Sequence, residues 1–162
     1  MRYQIRQKIF SFGDNFAIKN DRDEDQFVVR GKVFTLGDKL KIEDLEGNEL
    51  VYIEQKIFRF LPEYNIYRGG EHLAQVKKEF TFFKPRFYIK STMGNYTIDG
   101  NIFAHDFQIL KDGREVAYVS KKWLSFSDTY LAEIDDREDQ AFMLALVIVI
   151  DQVLHDNNKN NS

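Results

Sequence analysis

One uninterrupted apolar segment near the C-terminus constrains the fold of this chain more than any other feature. Every residue from Ala141 to Ile150 is apolar, and acidic residues bracket the segment on both sides. A helix that is apolar on all its faces has to be buried, either in protein or in lipid. Because a helix needs about 20 apolar residues to cross a bilayer, this segment is too short to span one. We therefore predict a helix buried in protein, and the helix-forming residues of its first half favour a helix over a buried strand.

The residues before the segment predict where the helix begins. Asp135 is a suitable N-cap residue, with Glu138 at the capping-box position, and acidic side chains suit the positive end of a helix. The predicted helix runs from about Asp136 to about His155, roughly 30 Å at 1.5 Å per residue. Residues 157–162 have nothing apolar to bury and are expected to be a disordered tail.

Length and composition limit the class of protein. A chain of 162 residues with two prolines and no low-complexity linker predicts one domain, over residues 1–156. The absence of cysteine excludes disulfides, a thiol nucleophile and cysteine-ligated metals. The N-terminus lacks the pattern of a signal peptide, so the expected location is the cytoplasm. A net charge of −3 gives no electrostatic case for nucleic acid as a partner.

Short strand patterns between turn signals fill the chain before the helix. Three of these stretches align on Gly47, Gly70 and Gly113, each of which closes a hairpin turn signal. The residues four, six and ten positions after each glycine share one face of a strand, and we predict that this face is inward. They are Val51, Ala74 and Ala117, then Ile53, Val76 and Val119, then Ile57, Phe80 and Trp123.

These patterns predict a mainly β (α+β) fold. We count about ten to twelve short strands and one long helix, at a spacing typical of a sandwich or a barrel. A helix that is apolar on every face needs walls on every side, which a closed antiparallel β-barrel supplies best among all-β shapes. The predicted architecture is a closed barrel of about 12 strands that encloses the C-terminal helix.

Four stretches carry a family resemblance that covers Met1 to about His155. They are RQKIFSFGDNFAIKN, EGNELVYIEQKIF, EFTFFKPRFYI, and the segment from GNYTIDGNIFAHDF to WLSFSDTYLAEI. The chain resembles the LURP-one-related family, whose fold is shared with the tubby C-terminal domain and related to phospholipid scramblases. The resemblance implies a twelve-stranded antiparallel barrel around a central hydrophobic helix. It implies little chemistry, because the family has no established enzymatic activity. Tubby domains bind phosphoinositides, but no tubby lipid signature aligns residue by residue here.

The stretch from Val76 to Lys90 is the strongest candidate binding site. Its five basic side chains are interleaved with four phenylalanines and a tyrosine. They are Lys77, Lys78, Lys84, Arg86 and Lys90. Such a pattern suits an anionic membrane surface or a single-stranded nucleic acid. The structural alternative is a strand pair with Phe inward and Lys outward, joined by a turn at Lys84-Pro85.

Basic residues also fall on the face that is predicted to point inward. Eight positions after the aligned glycines stand Gln55, Lys78 and Lys121. A buried lysine is costly unless it is paired or lies near the mouth of a barrel. Two interpretations are open. Either a bulge turns these side chains outward, or they pair with acids at the helix ends, such as Asp139 or Asp151.

Other polar residues suggest weaker alternatives. The acids Asp135, Asp136, Glu138 and Asp139 are the type of residue that binds calcium, but their spacing does not match an EF-hand loop, and helix capping explains them. His105 and Asp106 are adjacent, but neighbouring strand residues point to opposite faces, which argues against an acid–base pair. We find no nucleophile elbow, phosphate loop or dinucleotide fingerprint, and so expect neither an enzyme nor a cofactor.

The sequence leaves two functional hypotheses. The first is a non-enzymatic, cytoplasmic tubby-like barrel that contacts anionic lipid headgroups through the Lys77–Lys90 region. The second is a protein-interaction or scaffold module whose partner docks on the barrel wall.

Overall fold

The computed structural model describes residues 1–6, 15–32, 37, 39–57, 60–79, 81–121 and 128–159. Over these ranges the chain forms twelve strands and then one helix. The strands are β1 (Arg2–Arg6), β2 (Phe16–Asn20), β3 (Asp25–Lys32), β4 (Lys39–Glu43), β5 (Glu49–Gln55), β6 (Glu63–Arg68), β7 (Glu71–Glu79), β8 (Arg86–Ser91), β9 (Tyr96–Asn101), β10 (Asp106–Lys111), β11 (Arg114–Ser120) and β12 (Thr129–Ile134), and the helix is α1 (Gln140–Lys159).

All twelve strands belong to one antiparallel sheet that nearly closes into a barrel. The order is β8-β7-β6-β5-β4-β3-β2-β1-β12-β11-β10-β9, so strands that are consecutive in the chain pair with each other, except β8 and β9, and β1 pairs with β12. The two edge strands are β8 and β9, and the structure describes no hydrogen-bonded ladder between residues 86–91 and 96–101. The predicted antiparallel barrel of about 12 strands is confirmed, with a seam between β8 and β9.

Helix α1 fills the interior of this barrel. Every residue from Ala141 to Ile150 is at most 7% exposed, and its neighbours are the inward residues of the strands. The ring of Phe142, for example, lies 5.6 Å from the ring of Tyr96. The helix prediction is therefore confirmed for the apolar segment, and the barrel wall supplies the apolar surroundings that such a helix requires.

The start and the end of the helix differ from the prediction. The first helical residue is Gln140, and the N-cap is Asp139, whose Oδ1 accepts a hydrogen bond of 3.0 Å from the backbone N–H of Phe142. Asp135 is not the cap, because it closes the preceding turn and its Oδ1 accepts from the backbone N–H of Arg137. The helix ends at Lys159, beyond the predicted end near His155.

The hairpin repeat correctly identifies most of the inward residues. The three aligned glycines have φ values of 89°, 82° and 80°, which glycine adopts without the strain of a Cβ atom. The residues four and six positions after them are at most 2% exposed, as predicted. The prediction for Ile57 is wrong, because β5 ends at Gln55 and Ile57 is 41% exposed in the following connection. Phe80 and Trp123 lie outside the described residues.

Consecutive strands run in opposite directions, so the connections between them alternate between the two ends of the barrel. Helix α1 begins at the end that we call the lower end, where Arg68 of β6 contacts Asp139. It leaves at the opposite, upper end, where Asp151 contacts His105 of the β9–β10 connection. The β5–β6 and β7–β8 connections also lie at the upper end, because β5 and β7 run toward it.

Candidate functional site

The structure divides the five predicted basic residues among three positions on the β7–β8 hairpin. Lys77, Arg86 and Lys90 lie on its outward face. There Lys77 of β7 is opposite Tyr88 of β8, and Arg86 of β8 is opposite Glu79 of β7. Lys84 is exposed in the connection between the strands. Lys78 lies on the inward face, in line with Val76. The outer face and the connection therefore hold four of the five bases.

The interpretations of Lys78 as a bulged or acid-paired residue are both wrong. The register of β7 against β8 is continuous at Lys78, so no bulge turns its side chain outward. The acids proposed as partners are engaged elsewhere, Asp139 with Arg68 and Asp151 with His105. Lys78 is half-buried near the upper end, and desolvation by burial lowers the pKa of its ammonium group. Gln55 and Lys121 are also only partly buried.

The aromatic side chains of the hairpin are not all directed inward. Phe87 packs partly against the core, as the strand-pair alternative predicts. Phe82 and Phe83, however, are 85% and 97% exposed in the connection between β7 and β8. Side chains alternate between the two faces only along a strand. Because Phe82 and Phe83 lie beyond the end of β7, this alternation does not direct their rings toward the core as it directs Phe87.

Two further exposed phenylalanines lie in connections at the upper end. Phe60 of the β5–β6 connection is 92% exposed, and Phe103 of the β9–β10 connection is 61% exposed. The backbone N–H of Lys78 donates a 3.1 Å hydrogen bond to the carbonyl of Pro62, which fixes the β5–β6 connection beside β7. We define the upper aromatic surface as Phe60, Phe82, Phe83 and Phe103. Phe60 and Phe103 were not among the predicted site residues, because only the topology brings the β5–β6 and β9–β10 connections to the same end.

The charge of the five predicted bases is the second feature of this surface. Within the described part of the chain, none of the five forms an ion pair. Two bases at the lower end, in contrast, are paired. Arg68 lies 2.6 Å from Asp139 and Lys111 lies 2.9 Å from Glu138. The positive charge near the upper aromatic surface is therefore available to an external anion.

The acids before the helix are engaged by cations of the protein itself. Asp135 contacts both Arg114 and Arg137, and the hydrogen bond from the Arg137 side chain is the largest of the effects that hold the pKa of Asp135 well below its ordinary range. Asp136 pairs with the N-terminal amine, and Glu138 pairs with Lys111. Among the described residues, no three His, Asp or Glu side chains are placed to hold a metal ion.

His105 has a different partner from the one that its sequence neighbour suggested. Its Nε2 atom lies 2.6 Å from Oδ1 of Asp151, and its ring stacks on Tyr130 at 4.9 Å between centroids. Asp106 is exposed and accepts a hydrogen bond from the hydroxyl of Tyr118. His105 and Asp151 are only 5% and 4% exposed, so their contact lies in the core, where it ties the β9–β10 connection to the helix. No helix in the described ranges is both long and apolar enough to cross a membrane.

Comparison with known proteins places the chain in a family. The sequence profile described as LURP-one-related matches residues 1–151. An uncharacterized protein, YxjI from Bacillus subtilis (strain 168), is 43% identical over 152 residues, which is 93% of this chain and 92% of that protein. An X-ray structure of an Arabidopsis thaliana protein has the same fold, with a TM-score of 0.65 and 20% identity over 94% of this chain and 91% of its own. The chain therefore belongs to the LURP-one-related family.

Proposed function

We propose that this protein binds anionic membrane surfaces reversibly through its upper end and that it carries out no reaction there. The observation that carries the proposal is the combination of nearly fully exposed phenylalanines with bases that form no ion pair with any residue that the structure describes. Phe60, Phe82 and Phe83 are 92%, 85% and 97% exposed, and Lys84 and Arg86 are beside the latter two in the chain.

The apolar part of this surface gives a reason for membrane contact. Burying a Phe side chain is worth about 1.5–3 kcal/mol, so two rings that enter the boundary between headgroups and acyl chains contribute roughly 3–6 kcal/mol. Water solvates Phe82 and Phe83 almost completely in the free protein, and nearly all of this energy is therefore still available. Apolar rings in turns at one end of a barrel enter a membrane without a change in the fold.

The basic part adds attraction that depends on the lipid and on salt. A base near an anionic membrane contributes about 1 kcal/mol, and this attraction decays within a Debye length of about 10 Å at 0.1 M salt. Lys84 and Arg86 are exposed close to the aromatic rings, and Lys77 is on the same outward face as Arg86. An ion pair would cancel this attraction, and the structure describes none for these three residues.

Co-sedimentation with vesicles tests the proposal. The protein is mixed with vesicles of phosphatidylcholine alone or with added phosphatidylserine, at low and at moderate salt. We expect pelleting with the anionic vesicles that weakens as salt rises. The double variant Phe82→Ser/Phe83→Ser should lose pelleting at both salt concentrations, whereas Lys84→Glu/Arg86→Glu should lose chiefly the preference for anionic lipid.

Matched controls come from the lower end. Leu45 is 56% exposed in the β4–β5 turn, and Arg22 is exposed in the β2–β3 turn. Leu45→Ser removes an exposed apolar side chain and Arg22→Glu reverses one positive charge, both far from the upper aromatic surface, and both variants should pellet like the unaltered protein. Absence of pelleting under every condition, or equal losses in the control variants, would contradict the proposal and direct the search to a protein partner on the barrel wall.

A further inference from the structure

The seam between β8 and β9 leaves two strand edges without a ladder. Every other strand of the sheet pairs on both sides, whereas, among the described residues, β8 pairs only with β7 and β9 only with β10. A strand edge of this kind presents a row of backbone N–H and C=O groups to whatever lies beside it. An extended peptide can bind such an edge by adding to the sheet as a further strand.

The hydrogen bonds of the hairpin show which residues of β8 face the seam. The backbone N–H of Thr92, directly after β8, donates a 2.9 Å hydrogen bond to the carbonyl of Leu73 in β7. In an antiparallel strand, the N–H and C=O groups of one residue point to the same side, and those of the next residue point to the other. The register of β7 against β8 has no shift. Counting back from Thr92, the residues whose backbone groups point into the seam are Phe87, Ile89 and Ser91.

The core is also less covered at the seam than along the paired strands. Inward residues of paired strands, such as Val76 and Ile109, are 0% exposed. Phe87 and Ile89 of β8 and Ile98 of β9 pack against the core but are only partly buried. The seam therefore combines apolar side chains with backbone groups that no described strand pairs. An acyl chain would cover the apolar side chains and leave the backbone groups without partners, whereas an extended peptide satisfies both.

The outward face of β8 specifies the charge of such a peptide. Residues 77–90 contain five bases against one acid, Glu79. Arg86 and Lys90 are exposed on either side of Tyr88, and neither forms an ion pair with a residue that the structure describes. Opposite charges on directly opposed strand residues stabilise a pair, and like charges destabilise it. A strand beside β8 is therefore favoured when its outward side chains are acidic.

A second copy of this chain is a less favourable occupant of the edge. Pairing of two β8 edges would bring Arg86 and Lys90 of one copy beside the same two bases of the other, and bases on an edge strand oppose such self-association. The β9 edge is less suited to a regular strand, because Gly100 has a φ of 116°. An acidic strand that pairs with β8 meets neither obstacle.

From these observations we infer that the β8 edge at the seam is a docking site for an extended, acidic segment of a partner protein. The segment runs antiparallel to β8 and exchanges backbone hydrogen bonds with Phe87, Ile89 and Ser91. Its inward side chains are apolar and pack on Phe87 and Ile89. Its outward side chains are acidic and lie opposite Arg86 and Lys90. The site does not use the upper aromatic surface, so it goes beyond the membrane contact proposed above.

Fluorescence anisotropy with a synthetic peptide tests this inference in the absence of vesicles. The peptide VEVTVE carries a label at its N-terminus and an amide at its C-terminus. Aligned antiparallel with Arg86–Ser91, it directs its three valines inward and places its two glutamates opposite Lys90 and Arg86. We expect saturable binding of VEVTVE. The peptide VKVTVE, which places a lysine opposite Lys90, should bind about threefold more weakly or worse.

Methylation of single peptide nitrogens tests the strand pairing without altering the protein. The third residue of VEVTVE is opposite Ile89, so its N–H faces β8, and N-methylation there should weaken binding by about tenfold or more. The N–H of the fourth residue, opposite Tyr88, faces away from β8. N-methylation at the fourth residue is the matched control and should change the affinity by less than about threefold.

One charge reversal in the protein locates the binding. Lys90→Glu should weaken binding of VEVTVE and strengthen binding of VKVTVE, so that the preference between the two peptides is reversed. Arg22→Glu reverses a charge in the β2–β3 turn and should leave the preference as it is in the unaltered protein. Failure of VEVTVE to bind, equal effects of the two methylations, or an unchanged preference in Lys90→Glu would overturn the docking site.

Discussion

Shortening one side chain in the middle of helix α1 tests the packing of the barrel. Leu146 is 0% exposed and lies at the centre of the apolar segment from Ala141 to Ile150. Leu146→Ala keeps a good helix former at the position, so the change in the free energy of unfolding reports packing rather than helix propensity. Leu45, which is 56% exposed in the β4–β5 turn, offers the same substitution at the surface.

The cost of Leu146→Ala follows from its complete burial. The substitution removes three carbons, which loses about 2.4 kcal/mol at about 0.8 kcal/mol per buried methylene. A further cost arises from the cavity, because substitution of buried leucine by alanine typically costs 2–5 kcal/mol in total. Strands surround the helix on all sides and restrict collapse into the cavity. We therefore expect a loss of about 3–5 kcal/mol, or a fall of roughly 6–20 °C in melting temperature for a chain of this length.

Urea unfolding followed by far-ultraviolet circular dichroism measures the loss. Leu45→Ala should change the free energy of unfolding by no more than about 0.5 kcal/mol, as is usual for surface substitutions. Leu146→Asp places an unpaired charge in the same core position and should prevent folding. If Leu146→Ala costs no more than Leu45→Ala, or if Leu146→Asp retains a native melting transition, the helix is not enclosed by the barrel.

Two further predictions concern the helix cap and a close strand contact. Burial raises the pKa of Asp139, but the hydrogen bonds from Arg68 and from the backbone of Phe142 outweigh it, so the folded pKa is lowered. The stabilisation is then complete above the ordinary pKa near 4 and is lost as pH falls through the folded value. Arg68→Ala should cost about 0.5–1 kcal/mol in urea unfolding at pH 7 and less at pH 3, and an equal cost at both would refute this linkage. Gly100 has a φ of 116°, and an added Cβ would lie 2.7 Å from the carbonyl oxygen of Asp106. At Gly113 an added Cβ would meet no atom within 4 Å. Gly100→Ala should therefore lower the melting temperature more than Gly113→Ala does, and an equal effect of the two substitutions would exclude the close contact.

Local patterns in the sequence were sufficient to predict the barrel. A glycine that closes a hairpin fixes the phase of the strand that follows, so counting from Gly47 identified Val51 and Ile53 as inward residues. The same count failed at Ile57, because alternation says nothing about where a strand ends. The length and apolar character of the segment from Ala141 to Ile150 predicted its burial, since a helix without a polar face has no other stable environment in water.

The sites depend on contacts that no local pattern contains. The cap residue, Asp139, is held by Arg68, which is far away in the chain and ends its strand beside the helix. The upper aromatic surface combines the β7–β8 connection with Phe60 and Phe103, which the topology brings to the same end. The seam depends on which strands pair, and no local pattern marks β8 and β9 as the two edges of the sheet.

The proposed membrane contact can be tested separately from the stability of the barrel. The upper aromatic surface lies in connections between strands and its phenylalanines are mostly exposed, so replacing Phe82 or Phe83 should leave the free energy of unfolding nearly unchanged. Loops on a rigid scaffold commonly carry binding residues for this reason. A loss of vesicle binding in a fully stable variant would therefore report the surface itself.

The most direct test of the membrane proposal is which end of the barrel enters the lipid. The chain contains no cysteine, so Phe83→Cys and Leu45→Cys each provide a single site for an apolar, environment-sensitive fluorophore, at the upper and the lower end respectively. On addition of vesicles containing phosphatidylserine, we predict a blue-shifted, brighter emission from the label at position 83 and no change at position 45. Emission that stays unchanged at position 83, or that shifts equally at both positions, would contradict binding through the upper end.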